Sequence, residues 1–196
     1  MTIPNRLACI VSLVLVAALT ACSSPNPVLY TIAPASGVTH TGAPKVIALR
    51  QIAVARYLER NQIVRSSENY KLEVMSNDWW GEPLGAMLAR VLVDELGQRL
   101  QGSTVYAETG AVTVPADATV ELNVDRMDLN PAGALIFQAQ AAITLKGRAA
   151  PLTQSFRFDV PPPNDSIAGE VAAISTAVGQ LADGIATMLA TARAAR

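Results

Sequence analysis

The chain has 196 residues, with 15 basic and 16 acidic side chains and one histidine, for a formal net charge of −1. No block of Lys and Arg tracks a polyanion, which argues against nucleic acid as a partner. The only cysteines, Cys9 and Cys22, fall in the first 22 residues, so the body beyond them has neither thiol nor disulfide chemistry.

Leu7 to Leu19 is an uncharged apolar run preceded by Arg6 and followed by small residues, the three-part layout of an export signal. It is shorter than the roughly 20 apolar residues a membrane span needs. Leu19-Thr20-Ala21-Cys22 then matches the lipobox of bacterial lipoproteins, where cleavage precedes the cysteine and its thiol takes up a diacylglyceryl group. Residues 1–21 are therefore expected to be a signal peptide and Cys22 the lipidation site. Each buried acyl methylene contributes about 0.8 kcal/mol, and the two or three chains of a mature lipoprotein hold firmly where one would not. Cleavage leaves 175 residues with 14 basic and 16 acidic side chains, enough for one self-sufficient core. Ser23, not Asp, follows the cysteine, which by the enteric sorting rule points to the outer membrane, facing the periplasm.

Residues 22–44 read as the lipidated cysteine and a Pro/Ser/Thr/Gly tether, interrupted by a possible short edge strand at Val28 to Ile32. The folded domain is expected over 45–196. Val46 to Val54 is apolar and ends at the polar turn Arg56-Tyr57-Leu58-Glu59-Arg60. Gln62 to Ser66 and Tyr70 to Met75 read as a hairpin pair, turning at Ser66 to Asn69 and alternating Tyr70, Leu72 and Val74 against Lys71 and Glu73.

After Trp79-Trp80-Gly81-Glu82-Pro83, the spacing of Leu84, Met87, Leu88, Val91, Leu92, Leu96 and Leu100 predicts a helix, opened by Pro83 and stopped at Gly102. Strands follow at Thr104 to Ala107, Thr119 to Leu129, Leu135 to Lys146 and Leu152 to Val160, the last three as an antiparallel meander. Val120, Leu122 and Val124 share a phase that Met127 and Leu129 do not, which predicts a bulge near Asp125-Arg126. A final helix, capped by Asp165 or Ser166, carries Ile167, Val171, Ile174, Val178, Leu181, Ile185 and Met188 at strict heptad spacing. That seam either packs on the sheet or joins copies of the chain as a homo-oligomer. The fold class is α/β, a single domain in three layers, with a mixed sheet, an antiparallel C-terminal meander and helices packed on it.

Catalytic groups are missing. His40 stands alone in a Gly/Thr/Pro loop, with no second His or Cys to complete a triad or a metal site, and there is no phosphate-binding Gly loop. The acidic pairs Asp94-Glu95 and Asp125/Asp128 fall where solvated faces are expected. No catalytic residue, metal or cofactor is assigned.

Three segments together do carry a resemblance: Tyr30-Thr31-Ile32, the block from Val54 through Tyr57-Leu58-Glu59-Arg60-Asn61-Gln62-Ile63 to Val64, and Trp80-Gly81-Glu82-Pro83-Leu84. The chain resembles the ABC-type transport auxiliary lipoproteins of the paraquat-inducible protein C type over nearly its whole mature length. It departs from the usual pattern at Ala55 and Asn61, where the family carries prolines. The resemblance implies an outer-membrane lipoprotein that works with a mammalian-cell-entry (MCE) domain protein and an inner-membrane transport component to move lipids across the envelope. The residues themselves suggest a docking surface: Tyr57, Leu58 and Arg60 in a charged turn, and Trp79 and Trp80 before a helix, are of the types that dominate interface hot spots. The alternative is a free-standing lipid carrier with its own apolar cavity of roughly 300 Å³ or more.

If Cys22 carries the anchor, Cys22→Ala should abolish lipid modification and release the protein from the membrane fraction. Fractionation that finds the variant matured and pelleting like the parent would remove the lipobox reading.

Overall fold

The computed structural model describes residues 26–111 and 114–194; the signal segment and Cys22 lie outside them, as do the side chains of the last two. The elements run β1 (Val28–Tyr30), β2 (Val46–Leu49), β3 (Ala53–Val54), a single 3-10 turn (Arg56–Leu58), β4 (Gln62–Ser66), β5 (Glu73–Trp80), α1 (Leu84–Arg99), β6 (Thr104–Ala107), β7 (Ala118–Leu129), β8 (Leu135–Leu145), β9 (Leu152–Val160) and α2 (Ile167–Ala194). The mixed α/β class and the antiparallel meander β7-β8-β9 are as the periodicity predicts.

β7 is the spine of the sheet. One edge pairs with β8, which pairs in turn with β9. The other edge receives β2 and β3 in parallel along its first half, and the end of β4 at Leu129. β4 turns antiparallel into β5, and β1 adds in parallel to β5, with Val28 beside Asp78 and Tyr30 beside Trp80. β6 lies beside β2. The β7–β8 register breaks between Val124 and Arg126, at the bulge the phase change predicts, and this returns Met127 and Leu129 to the covered face.

On β8, Leu135, Phe137, Ala139, Ala141, Ile143 and Leu145 are buried while Gln140 and Thr144 are exposed. Both helices cover that one apolar face, side by side and touching, α1 against β6 and β3 and α2 against β8 and β9. The architecture is a sheet with one helical layer, because the opposite face of the meander is polar and needs no cover. α2 is long and apolar enough to cross a membrane, yet it is a core helix. Val171, Ile174, Val178, Leu181 and Ile185 of the heptad seam are buried within the chain, each contributing about 1.5–3 kcal/mol. Gly184 lets it lie close to the sheet, since a Cβ there would overlap the Phe156 ring. Ser166 is the cap, its hydroxyl accepting from the Gly169 N–H at 3.0 Å.

The segment from Ile32 to His40 is strapped over the helix pair. Arg99 on α1 is 1% exposed. Its guanidinium donates to Asp183 Oδ1 on α2 at 2.7 Å, to the Ala35 carbonyl at 2.9 Å and to the Gly179 carbonyl at 3.2 Å. Glu95 Oε1 accepts from the Ala35 N–H at 2.7 Å, and the Ser175 hydroxyl from the Ala33 N–H at 3.2 Å. His40 closes the strap with its backbone, donating to the Arg99 carbonyl at 2.6 Å and accepting from the Gln101 N–H at 3.1 Å. The chain between β1 and β2 is therefore ordered structure and not tether.

One strand sits differently from expectation. β5 begins at Glu73, beyond Tyr70 and Leu72, and runs on through both tryptophans. The reversal is Glu68 to Lys71, closed by the Lys71 N–H on the Glu68 carbonyl at 3.1 Å, with Asn69 at φ 54° and Tyr70 at φ 60°. Those angles belong to a two-residue hairpin turn of the type that prefers Asn-Gly, and here a tyrosine holds the glycine position. Left-handed backbone costs an L-residue about 1–2 kcal/mol. Tyr70→Gly should therefore stabilise the fold by about 1 kcal/mol and raise the melting temperature by several degrees. A lowered melting temperature would mean that the Tyr70 ring contributes packing that outweighs the strain.

Candidate docking site

The turn between β3 and β4 is held from below. Leu58 is 2% exposed and belongs to the core. Tyr57 is half-buried, and its hydroxyl donates to Asp128 Oδ2 at 2.8 Å. Burial first, then that carboxylate, pushes its phenol well above the ordinary range. Arg60 folds back, Nε donating to the Tyr57 carbonyl at 2.8 Å. Ala55 sits at φ −56°, the angle a proline would impose, so the turn keeps proline-like geometry at this departure from the family pattern. Its N–H donates to the Val124 carbonyl at 2.9 Å, a bond a proline would lack.

The two tryptophans separate. Trp80 is 6% exposed and packs in the core, its backbone N–H donating to the Asn61 carbonyl at 2.7 Å. Trp79 is half-buried, with Nε1 donating to the Ser76 carbonyl at 3.1 Å. Of the five side chains expected at a docking surface, Leu58 and Trp80 are core residues, since each lies on the face of its element that meets the apolar interior. Tyr57 is a partly covered brace, and Arg60 and Trp79 remain partly open to solvent.

Beside this turn lies a groove of about 370 Å³. Ile52, Val54, Leu84 and Ala89 give it an apolar surface, and Glu59, Arg60 and Asn61 line it from the turn. Gly85 allows the helix to start there, because a Cβ would come within 3.0 Å of the Ile52 carbonyl oxygen. α1 has no side-chain cap, so its first amides leave a donor-rich end at the groove. Glu82 steadies the helix start by accepting from Arg90 Nη2 at 2.6 Å and Nε at 3.0 Å. Sequence reasoning missed the groove because its lining comes from four separate stretches of the chain, none conspicuous alone. A second, wider hollow of about 640 Å³ lies on the polar sheet face, lined by side chains such as Arg50, Glu121, Asn123 and Gln140.

The acidic pairs do not form solvated pairs. Asp94 and Asp125 are exposed, whereas Glu95 and Asp128 are fully buried. Asp128 accepts from both Tyr57 and Arg126, and Arg126 also pairs with Glu68 in the β4–β5 turn. Glu95 is spent on the strap, with burial raising its carboxyl. Among the described residues no group of His, Cys, Asp and Glu has the makings of a metal site.

Glu170, in the first turn of α2, is 1% exposed and neither of its carboxyl oxygens has a hydrogen-bond partner. Burial pushes it up to about 8, against the opposing pull of Arg65. A folded-state value raised above the unfolded one means that folding takes up a proton, so stability falls as pH rises from about 4.5 to about 8 and levels off beyond. Glu170→Gln should flatten that slope. Above pH 8 it should exceed the parent in stability by an amount on the order of 2–4 kcal/mol. Identical pH profiles in denaturant melts would show that Glu170 is solvated.

Residues 28–186 match the model of the family described as ABC-type transport auxiliary lipoprotein component. Two crystal structures share the fold. One, of an uncharacterized protein, is 19% identical with a TM-score of 0.69 and covers 83% of this chain and 98% of its own. The other, protein XCC0632 from Xanthomonas campestris, is 17% identical with a TM-score of 0.69 and covers 84% of this chain and 96% of its own. No curated protein matches the sequence. The family match spans β1 to the middle of α2, including the turn, the groove and the helix pair, and the chain belongs to the ABC-type transport auxiliary lipoproteins, accessory and non-enzymatic members of transport systems.

Proposed function

We propose that this protein is an outer-membrane lipoprotein, anchored through Cys22 and facing the periplasm, that docks the envelope-spanning part of a lipid transporter. That transporter would consist of an MCE-domain protein and an inner-membrane component. The proposed seat for the partner is the groove between the Glu59–Asn61 turn and the start of α1. One observation carries this reading. Two of the blocks that carry the family resemblance, Val54 to Val64 and Trp80 to Leu84, are separated by 15 residues of the chain and yet line one groove, through Val54, Glu59, Arg60, Asn61, Pro83 and Leu84. Within those blocks the buried members Leu58 and Trp80 set the shape, while Arg60 and the groove surface meet the partner. Both hollows described are open to solvent and carry charged or amide side chains, as suits a surface contact better than an enclosed lipid.

Ala86 is exposed and lines the groove, so Ala86→Trp should fill it without touching the core. Together with Arg60→Ala, it should weaken association with the MCE-domain partner by roughly 2 kcal/mol or more, about thirtyfold, at unchanged melting temperature. Leu58→Ala should do the reverse, lowering the melting temperature first. Calorimetric titration with parallel thermal melts checks both. Parent-like affinity in the filled variant would move the docking site elsewhere, with Trp79 the next candidate.

A further inference from the structure

The geometry points to the tip of the β4–β5 hairpin, Tyr70-Lys71-Leu72, as a lipid-surface contact that seats the body beside its anchor. Tyr70 is fully exposed and Leu72 is 39% exposed, with the charged Lys71 between them also exposed. The tyrosine holds a left-handed backbone position that would suit glycine, so the sequence presents a large amphipathic ring at the cost of local strain. The turn is braced on one side and bare on the other: Glu68, its first residue, pairs with Arg126, which pairs with the buried Asp128. The tip is thus a stiff projection.

Topology brings the chain from the anchor in along the tip-ward side of β5. β1 runs parallel to β5 with Val28 beside Asp78, so the chain enters β1 from the side where the hairpin tip stands. Six residues of chain lead from Cys22 to Val28, and the same number from Leu72 to Asp78. At most about 20 Å of reach therefore covers the roughly 20 Å of strand back to the tip. Val28 and Leu29, at 49% and 63% exposed, continue the apolar exposure along the same edge. Tyrosine, a lysine whose stem lies on apolar surface while its ammonium reaches headgroups, and a leucine suit the boundary between acyl chains and headgroups. An acyl anchor alone fixes distance from the bilayer. A second contact point fixes orientation, and this one directs the far end of β5, with the α1 groove, away from the membrane.

The inference rests on lipidation of Cys22, and its test keeps the two apart. In the mature lipoprotein Cys22 is acylated, so Tyr70→Cys, Leu72→Cys or Ala86→Cys each adds a single labelling site for an environment-sensitive fluorophore. The labelled lipoproteins are reconstituted in vesicles of phosphatidylethanolamine with a minority of phosphatidylglycerol and separated by flotation. Expected are several-fold brighter, blue-shifted emission at 70 and 72, quenched by lipids spin-labelled near the headgroup, and aqueous emission at 86. Vesicle-bound protein with aqueous probes at 70 and 72 overturns the proposal and leaves the anchor standing. The same holds if those probes respond only when the transport partner is added, which would make the tip a protein contact. Protein that fails to float, with Cys22 itself open to labelling, overturns the anchor and the tip contact together.

Discussion

The fold turns on one buried cation. Arg99 joins α1 to α2 through Asp183 and Gly179, and both helices to the entering strap through Ala35, while Glu95 one turn earlier binds the same strap. A guanidinium can be removed from water only where its donors are satisfied, and removing it would leave the buried Glu95 without its neighbouring cation and Asp183 without its partner. Gly179 is part of the same constraint, since a Cβ there would overlap Ala35. Because the strap is fixed, β1 is delivered to the free edge of β5. The position of β1 determines where the preceding chain enters the body. A polar knot on the helical side thus sets the direction of that entry.

β5 is the other organising element. Its first residue follows the hairpin tip and its last, Trp80, precedes the groove by a few residues. Eight residues of strand separate the two by roughly 26 Å. The chain Glu68–Arg126–Asp128–Tyr57 runs between the hairpin turn and the motif-bearing turn, so the two ends are coupled by charged hydrogen bonds as well as by backbone pairing. The half-buried Tyr57, which looks like an interface aromatic in the sequence, serves that brace.

What the sequence revealed follows from what periodicity can carry. The meander, α1, the α2 seam and even the bulge at Asp125 were legible because a one-sided sheet and its covering helices must alternate apolar and polar residues at fixed periods. β5 was misplaced because Ser76, Asn77 and Asp78 interrupt its pattern near a half-wet edge, and because a tyrosine in a turn position looked like the start of a strand. Glu95, Arg99 and Asp128 were illegible for a different reason. A charged residue reads as solvated unless its partner is known, and here the partners lie as far as 84 residues away, as for Arg99 and Asp183. The exposure of Tyr57, Leu58, Trp79 and Trp80 was indeterminate for the same cause, since each lies at a boundary between elements where one rotation decides between core and solvent.

The distribution of polar groups suits a coupling part better than a container. A carrier must open an apolar interior, and so tolerates loose packing around it. In this chain the interior is occupied by α2, whose small residues Ala173, Ala177, Ala182 and Ala186 bring the helix close to its neighbours at negligible exposure. The ion pairs Arg99–Asp183 and Arg126–Glu68 sit between elements that must not slide, helix on helix and hairpin on sheet. Rigidity of that kind adds nothing to a lipid's affinity. It does preserve the spacing between the hairpin turn and the groove at opposite ends of β5, and fixed spacing is what the proposed coupling subunit needs to hold a long partner in line.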